Sequence, residues 1–447
     1  MFKKQKRIVQ GELWVNAEEY ALPASNPFYE QLDAIITSIG FDDQVRSLCQ
    51  PYYRMGGPGH PGVDPAVYIK MLLIGFFENI KSERAIEARC ADSIMLRRFI
   101  GYPLNERVPD HTTLGVIRRR LPVDTFEKAF VILHPVLASM GLLRGAHIGM
   151  DTSVIDANAS MRNLRNRISA EKYRAYVKKL AKQEGVDIGD EAAVSRFDRK
   201  RKGRKTSNDE WHNPHDPDAK IGPTKHGGTR MIYKPEHVVD MDTGAMIDAR
   251  ILPGDTADTT EVASRIADAE ARAIASMPID DLPIETATAD KGYHAAEEIA
   301  RIENGGMAAN IPDRITNRNL EKLSKGTREA LKRCARRVKS VMGKDLLRKR
   351  GMHIERSFAH ILDSGGMRRT TLRGTENIQK RYSIAALGYN LSLLMLTFFG
   401  VGTPKQHAAG TGKRFLDACI HAIFGFTRFL AGFGVRAGLH AATVVAP

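Results

Sequence analysis

The stretch Gly145-Ala-His-Ile-Gly-Met-Asp-Thr-Ser-Val-Ile-Asp-Ala-Asn158 has the pattern of a short buried strand that carries an acid in its middle. Apolar residues lead into Asp151, and Val154 and Ile155 resume the apolar run after it. Burying a carboxylate in such a strand is costly unless a cation or a metal ion compensates its charge. A single aspartate in this position more often caps the next turn, so a functional interpretation needs further acids in similar positions.

Two further acids occur in comparable settings. Asp290 closes the short run Thr286-Ala-Thr-Ala, which has the pattern of a second strand. Glu355 stands in a stretch whose apolar residues, from Ile354 to Leu362, recur at the spacing of one helical stripe. Two aspartates at strand ends and one glutamate on a helix that packs on the sheet form a set of carboxylates that suits hard divalent cations.

Composition limits the classes of protein to which the chain can belong. With 447 residues and 43% hydrophobic content, it is long enough for two or three domains with real cores. The net charge of +15 predicts a polyanionic partner, with nucleic acid ahead of an acidic membrane surface, although a merely basic soluble protein is the alternative. The four cysteines lie far apart in the sequence, which argues against a disulfide framework and against a cysteine zinc site.

We predict no membrane segment. The basic start of the chain is followed by polar residues rather than by the apolar core of a signal peptide. The apolar stretch from Tyr382 to Val401 contains Asn390 and two glycines, so we interpret it as a buried core helix rather than a membrane span. These features predict a cytoplasmic protein without a membrane partner.

The first 140 residues are predicted to be helical. Asp64 to Phe77 carries a broad apolar face, with Pro65 in the first turn. Asp110 is the expected N-cap of another helix, whose far side carries three consecutive arginines. Further helices are expected at 83–89, 92–100 and 123–140. Short helices with clustered arginines suit a module for DNA binding or dimerisation, and a helical scaffold with solvated charges is an equal alternative.

The rest of the chain alternates between strand and helix patterns. Strands are expected at 236–241, 245–252, 284–290 and 307–311, with helices at 260–277 and 295–304. This order predicts a mixed α/β sheet with helices on its faces. Between the first strand and the second lies a polar stretch in which only 171–183 has a helical pattern, so we expect most of 160–228 to consist of turns and to be mobile.

Two segments concentrate positive charge. Arg199 to Lys205 holds six bases in seven residues and is typical of a phosphate-binding loop, or of a solvated one. Glu329 to Arg350 carries nine bases against two acids, and three of its arginines lie on one helical face. Those three arginines are Arg333, Arg336 and Arg337.

These motifs resemble those of the DDE-type transposases of bacterial insertion sequences. The resemblance covers most of the chain, to about residue 400. The segment from Met150 to Ala159 is similar to the family's first-aspartate strand, and Ala289-Asp-Lys-Gly-Tyr-His294 is similar to its second-aspartate motif. Ile354-Glu-Arg-Ser-Phe358, followed by Arg369 and Arg373, resembles its glutamate-helix motif. The segment 64–121 resembles the helical domain that precedes the core in such enzymes.

The resemblance implies an α/β (α+β) fold, in which a ribonuclease-H-like mixed sheet is flanked by helices and preceded by an all-helical N-terminal domain. We expect that helical domain at 1–142 and the catalytic core at 143–400. Polar insertions are expected at about 160–228 and 313–343. The resemblance does not extend to the apolar tail at 401–447, and we assign no function to that segment.

The resemblance also implies a function, that of a DNA transposase which cleaves and joins strands at the ends of its element. Mg²⁺ or Mn²⁺ would be bound by the catalytic acids Asp151, Asp290 and Glu355. The partners implied are terminal inverted repeats, a target duplex and a second copy of the chain, on the nucleoid of a bacterial cytoplasm. The residues predicted to contact DNA are Lys291, Arg333, Arg336, Arg337, Arg356, Arg369 and Arg373. Two alternatives stay open: a metal-dependent nuclease without strand transfer, and a catalytically inactive DNA-binding regulator.

Overall fold

The computed structural model describes residues 27–53, 62–201, 207–224, 227–276, 284–313 and 322–409. Most of the predicted basic loop Arg199–Lys205 and nearly all of the tail beyond residue 401 lie outside these ranges. The predictions for those two segments therefore concern residues outside the described part of the chain.

Helices occupy the described residues up to about 140, as predicted. They are α1 Phe28–Ser38, α2 Phe41–Cys49, α3 Pro65–Phe77, α4 Glu83–Asp92, α5 Ile94–Ile100, α6 His111–Arg120, α7 Val123–Val131 and α8 His134–Ser139. Asp110 accepts a hydrogen bond from the Thr113 backbone N–H at 2.8 Å, which confirms the predicted cap. Asp64 caps α3 in the same way, through the Ala66 backbone N–H at 2.8 Å. The predicted helix 123–140 is divided in two, because Pro135 has no N–H with which to continue α7.

A mixed sheet follows the helices, which confirms the predicted order of strands. The strands are β1 His147–Thr152, β2 Ile155–Asp156, β3 Arg165–Asn166, β4 Trp211–His212, β5 Lys220–Pro223, β6 Thr229–Asp240, β7 Met246–Pro253, β8 Thr286–Thr288 and β9 Ala308–Asn310. Strand β1 pairs antiparallel with β6 and parallel with β8, and β8 pairs parallel with β9. Strands β2, β5 and β7 also pair with the long strand β6, whereas β3 and β4 form a separate ribbon.

Further helices alternate with the strands, as the sequence pattern predicts, and several of them pack on the sheet. They are α9 Tyr173–Gln183, α10 Glu191–Lys200, α11 Val262–Ser276, α12 Ala296–Asn304, α13 Lys325–Lys339, α14 Val341–Phe358, α15 Thr375–Phe399 and α16 Pro404–Ala408. Helix α14 crosses one face of the sheet and packs on β1, β6 and β8. Side chains of α14 on that face can therefore reach the ends of β1 and β8.

The polar stretch after β2 contains more regular structure than the sequence predicts. Helix α9 agrees with the prediction, but α10, β3, β4 and β5 were not expected. Val194 of α10 is buried against Val177 and Ala181 of α9, in a small core separate from the main one. Helix α10 has one buried residue, Val194, so it adds little apolar surface to the protein. The prediction of a single helix in 160–228 is therefore wrong, because α10 is a second one.

Helix α15 connects the N-terminal helices to the sheet. It packs against α3 and α7 on one side and along the edge strand β7 on the other. The Gln379 side chain accepts a hydrogen bond from Ile251 N–H at 2.7 Å and donates one to Ala249 O at 2.9 Å. Asn390 accepts from Met246 N–H and donates to Met246 O, both at 2.9 Å. These amides satisfy backbone groups that an uncovered edge strand would leave unpaired.

The burial of α15 agrees with its prediction as a core helix. Within the described residues, one helix, from Thr375 to Ala408, is long and apolar enough to cross a membrane by length and composition. In its most apolar window, 78% of the residues are buried inside the protein, as is usual for the central helix of a folded core.

Candidate active site

Strand β1 directs Asp151 toward helix α14. A Cβ atom on Gly149 would lie 3.2 Å from Arg350 Cγ and 3.4 Å from Ile354 Cδ1, so α14 packs directly over this glycine. Side chains alternate along a strand, and Asp151 therefore faces the same side of the sheet as Gly149. The opposite residue on β6, His237, also contacts α14, through Ser357.

Asp290 lies at the corresponding end of the neighbouring strand. Strand β8 runs parallel to β1 with Thr288 opposite Gly149, so the register continues to place Asp290 beside Asp151. Its carboxylate accepts a hydrogen bond from the Gly292 backbone N–H at 2.7 Å, which begins a short 3₁₀ turn. A Cβ on Gly292 would come within 2.9 Å of that same carboxylate, so glycine permits this tight turn.

The two aspartates interact electrostatically. Burial raises the pKa of Asp151, the guanidinium of Arg350 lowers it, and the neighbouring charge of Asp290 raises it again, with a net increase. Repulsion between adjacent carboxylates favours a bound proton or a cation. The structure therefore confirms that two of the three predicted acids come together at the ends of adjacent strands.

Arg350 is the cation that compensates Asp151 in this structure. Its Nη1 donates to Asp151 Oδ2 at 2.8 Å, and the side chains of the pair are 16% and 29% exposed. Its Nε is buried and has no hydrogen-bond partner among the described residues. The guanidinium is therefore only partly satisfied in this position. In the sequence, Arg350 is one base of the run from Glu329 to Arg350, and no local pattern predicts its ion pair with Asp151.

Glu355 lies on α14, and its side chain is exposed. On the same helix, His353 lies against Gly244 in the turn between β6 and β7, at the end of β1 away from Asp151. Two residues correspond to about 200° around an α-helix. His353 and Glu355 therefore point to opposite sides of α14, while Ile354 between them faces the sheet. Because His353 faces the start of β1, Glu355 projects toward the side where β1 and β8 end.

The structure does not gather all three acids into one cluster. Among the described residues, no group of three or more His, Cys, Asp and Glu side chains is close enough to hold a metal ion. The pair Asp151–Asp290 nevertheless has the donor chemistry of a site for a hard cation, because it is partly buried and its charges repel. The assignment of Glu355 as the third ligand stays a prediction.

Asp258 is a site residue that sequence analysis missed. It accepts hydrogen bonds from Thr152 Oγ1 at 3.0 Å and Lys234 Nζ at 3.1 Å, and its carboxylate lies near Gly292. It therefore adjoins the aspartate pair from the loop after β7. In the sequence, Asp258 stands in a turn whose composition is that of any polar loop. Its position beside the aspartate pair becomes apparent only from the pairing of β6 with β1.

The predicted DNA contacts divide into paired and unpaired residues. Arg333 Nε lies 2.8 Å from Glu303 and Arg337 Nη1 lies 2.7 Å from it, so both arginines attach α13 to α12. Burial raises the pKa of Glu303, but the hydrogen bonds from the two arginines outweigh this effect and lower the pKa overall. Arg336 bonds only weakly, at 3.4 Å, to its own helix. The four remaining predicted contacts are all exposed; these are Lys291, Arg356, Arg369 and Arg373.

Comparison with known families gives two matches. Residues 17–120 match a family described as "Transposase domain (DUF772)", and residues 201–391 match one described as "Transposase DDE domain". The second match includes Asp290 and Glu355, while Asp151 lies between the two matched segments. No curated protein and no solved structure matched the chain. The helical first part, the mixed sheet and the second match together confirm the predicted ribonuclease-H-like fold.

Proposed function

We propose, from the premise that this chain is a DDE-type insertion-sequence transposase, that it cleaves DNA at the ends of its element and joins them to a target. The observation that supports this most directly is the Asp151–Asp290 pair at the ends of adjacent parallel strands. The pKa of Asp151 is raised mainly by burial and further by the charge of Asp290, which supports the proposal that a cation binds between the two carboxylates. Phosphoryl transfer on DNA needs such a cation-binding position beside the reacting phosphate.

Each acid has a proposed role. Asp151 and Asp290 hold the cation between the strand ends, and Glu355 completes the set from α14. Mg²⁺ or Mn²⁺ bound there would supply Lewis acidity and lower the pKa of an attacking water or 3′-hydroxyl group. Arg350 must release Asp151 for this, and its charge is then available to a DNA phosphate near the site. Lys291 and Arg356, each beside an acid in sequence, are proposed as further phosphate contacts.

The partners follow from the charge and from the family. The net charge of +15 favours a DNA duplex, and the proposed substrates are terminal inverted repeats and a target duplex. A dimer would hold both element ends in one complex. The place of action is proposed to be the bacterial nucleoid.

A cleavage assay tests the proposal. The substrate is a supercoiled plasmid that carries the gene with its native flanking DNA, incubated with the protein and Mg²⁺ or Mn²⁺, with or without a second target plasmid. We expect metal-dependent cuts at the element ends and joined products when the target is present. The variants Asp151→Asn, Asp290→Asn and Glu355→Gln should each lose cleavage while retaining DNA binding. Asp345→Asn, an exposed acid on the same helix, is the matched control.

The outcomes separate the alternatives. Cuts without joined products would support the nuclease function and overturn strand transfer. DNA binding without any metal-dependent cut would support an inactive regulator. Normal cleavage by Glu355→Gln would remove Glu355 from the site while leaving the aspartate pair in place.

A further inference from the structure

Three cavities adjoin one another around the side chain of Arg369. The first, of about 250 Å³, lies between the start of α4 and the loop 365–372. The second, of about 260 Å³, lies between Arg373 and the segment 158–163. The third, of about 310 Å³, extends from Arg369 to Arg230. All three are lined by Arg369, and together they are called here the Arg369 groove.

The first cavity joins the N-terminal helices to the core and is positively charged. Lys81 and Arg84 line it from α4 and the turn before it, and Arg381 lines it from α15. Arg381 donates to Ile80 O at 3.0 Å, and burial lowers its pKa, which shows that its charge is poorly solvated. The acid in the lining, Glu83, is paired with Arg118 and so contributes little free negative charge.

The other two cavities continue the positive lining. Arg373 lines the second, which has no acidic residue in its wall. Arg162 and Arg230 line the third, whose acid, Asp156, is paired with Arg230 at 2.5 Å. Along the whole groove, positively charged side chains therefore outnumber the acidic side chains that lack a cationic partner.

Hydrogen bonds fix the backbone on both sides of Arg369, while the Arg369 side chain is exposed. Asp156 N–H donates to Arg368 O and Thr370 N–H donates to Asp156 O, both at 3.0 Å, which attaches the loop to β2. In the part of the chain that the structure describes, no hydrogen bond or ion pair involves the side chain of Arg369, Lys81 or Arg162. Cations on a fixed backbone without acidic partners are suited to bind anions.

The groove leads away from the aspartate pair. Ile155 pairs with Tyr233 of β6, and Asp151 pairs with His237 of the same strand. Four residues of a strand span about 13 Å. The residue after Ile155, Asp156, forms a backbone bridge with Arg369, so Arg369 lies beside the end of β2 and not beside the aspartate pair.

We propose that the Arg369 groove binds the sugar–phosphate backbone of the DNA duplex whose bond reacts at the aspartate pair. This assignment deepens the proposed function and depends on it for the position of the reacting bond. The groove requires both parts of the chain, because its walls come from α4 of the N-terminal helices and from the loop after α14. The N-terminal helices therefore contact the backbone of the DNA whose bond the core would cut.

Salt dependence of binding tests the groove. A fluorescently labelled duplex of arbitrary sequence is titrated with the protein at a series of NaCl concentrations. Each lost phosphate contact should reduce the slope of log K against log salt by about 0.9. We expect this reduction for Arg369→Ala, Lys81→Ala and Arg162→Ala, with unchanged thermal midpoints because these side chains make no internal bonds. Arg368→Ala is the matched control, since Arg368 pairs with Asp363 and lines none of the three cavities.

The result distinguishes the groove from the proposed function. Slopes for all three groove variants equal to that of Arg368→Ala would overturn the groove, even if wild-type protein cleaves its element ends. Reduced slopes in a protein that cleaves nothing would support the groove as a DNA site and reject the catalytic proposal. Reduced slope for Arg369→Ala with no change for Lys81→Ala would overturn the contribution of the N-terminal helices.

Discussion

At the residue scale, the two aspartates of the candidate site differ in what holds them. Asp151 is paired with Arg350 at 2.8 Å, whereas Asp290 accepts a backbone hydrogen bond from Gly292 at 2.7 Å. An asparagine can still accept that backbone bond, but it cannot pair with a guanidinium as a carboxylate does. The raised pKa of Asp151 nevertheless means that burial outweighs the pairing with Arg350, so the folded state favours a neutral side chain at this position.

We predict that neither substitution destabilises the protein in the absence of metal. Asp151→Asn should leave the free energy of unfolding equal or raise it, because the raised pKa of Asp151 means that the folded state favours a neutral side chain there, mainly through burial. Asp290→Asn should leave the free energy equal or raise it, because it removes repulsion and keeps the backbone bond. Urea unfolding in the presence of EDTA measures both, with Asp345→Asn as the control. A lower free energy of unfolding in either site variant than in the wild-type protein would contradict this prediction.

At the element scale, α15 and α14 are attached to the sheet by buried polar side chains. His237 of β6 lies 2.8 Å from Ser357 Oγ and 2.6 Å from the Tyr382 hydroxyl, and its ring stacks on Phe358 at 4.0 Å. Ser357 gives its hydroxyl proton to Ile354 O, so His237 Nδ1–H donates to Ser357 and Nε2 accepts from Tyr382. These bonds fix the register of α14 two residues from Glu355.

The covered edge of β7 gives a prediction for α15. Gln379→Met should lower the free energy of unfolding by about 2–4 kcal/mol, because it leaves the buried Ile251 N–H and Ala249 O unpaired while retaining the side-chain volume. Chemical unfolding with a tryptophan or circular-dichroism signal measures the change. Gln44→Met is the control, since Gln44 makes its bond on the exposed surface. A loss no larger than that of the control would show that the edge does not need the amide.

At the scale of the whole molecule, burial keeps several histidines neutral. Burial lowers the pKa of His134 to about 4, that of His237 to about 3 and that of His360 to about 4. An unfolded histidine has a pKa near 6.5, so the unfolded chain binds more protons than the folded one below that pH. Stability should therefore be unaffected by these groups above about pH 6.5 and should fall as the pH drops toward 4.

We predict that replacing one of these histidines reduces the acid sensitivity. Each buried histidine adds up to about 1.4 kcal/mol per pH unit to the fall in stability. His360→Gln should remove about that slope between pH 6 and pH 5, even if it lowers the stability at pH 7.5. Urea unfolding at several pH values gives the slope, and His215→Gln on an exposed turn serves as control. An unchanged slope in His360→Gln would contradict the assignment of acid sensitivity to burial.

Local patterns in the sequence were sufficient to predict the helices, the order of the strands and the acids at the ends of β1 and β8. Each of these depends on neighbouring residues, through the period of apolar side chains and the chemistry of caps. The cap Asp110 and the pair Asp151–Asp290 follow from such patterns. Helix α10 was not predicted, and its buried residue Val194 packs on α9 in a core separate from the main one.

The tertiary structure alone decided which charged groups meet. Arg350 and Asp151 are separated by 199 positions, and Arg337 and Glu303 by 34, so no local pattern relates them. An arginine in a basic run has the same sequence signature whether it binds phosphate, neutralises a site carboxylate or fastens one helix to another. Only the packing of α14 and α13 on the sheet separates these roles, because the strength of an ion pair depends on distance and burial, which the fold sets.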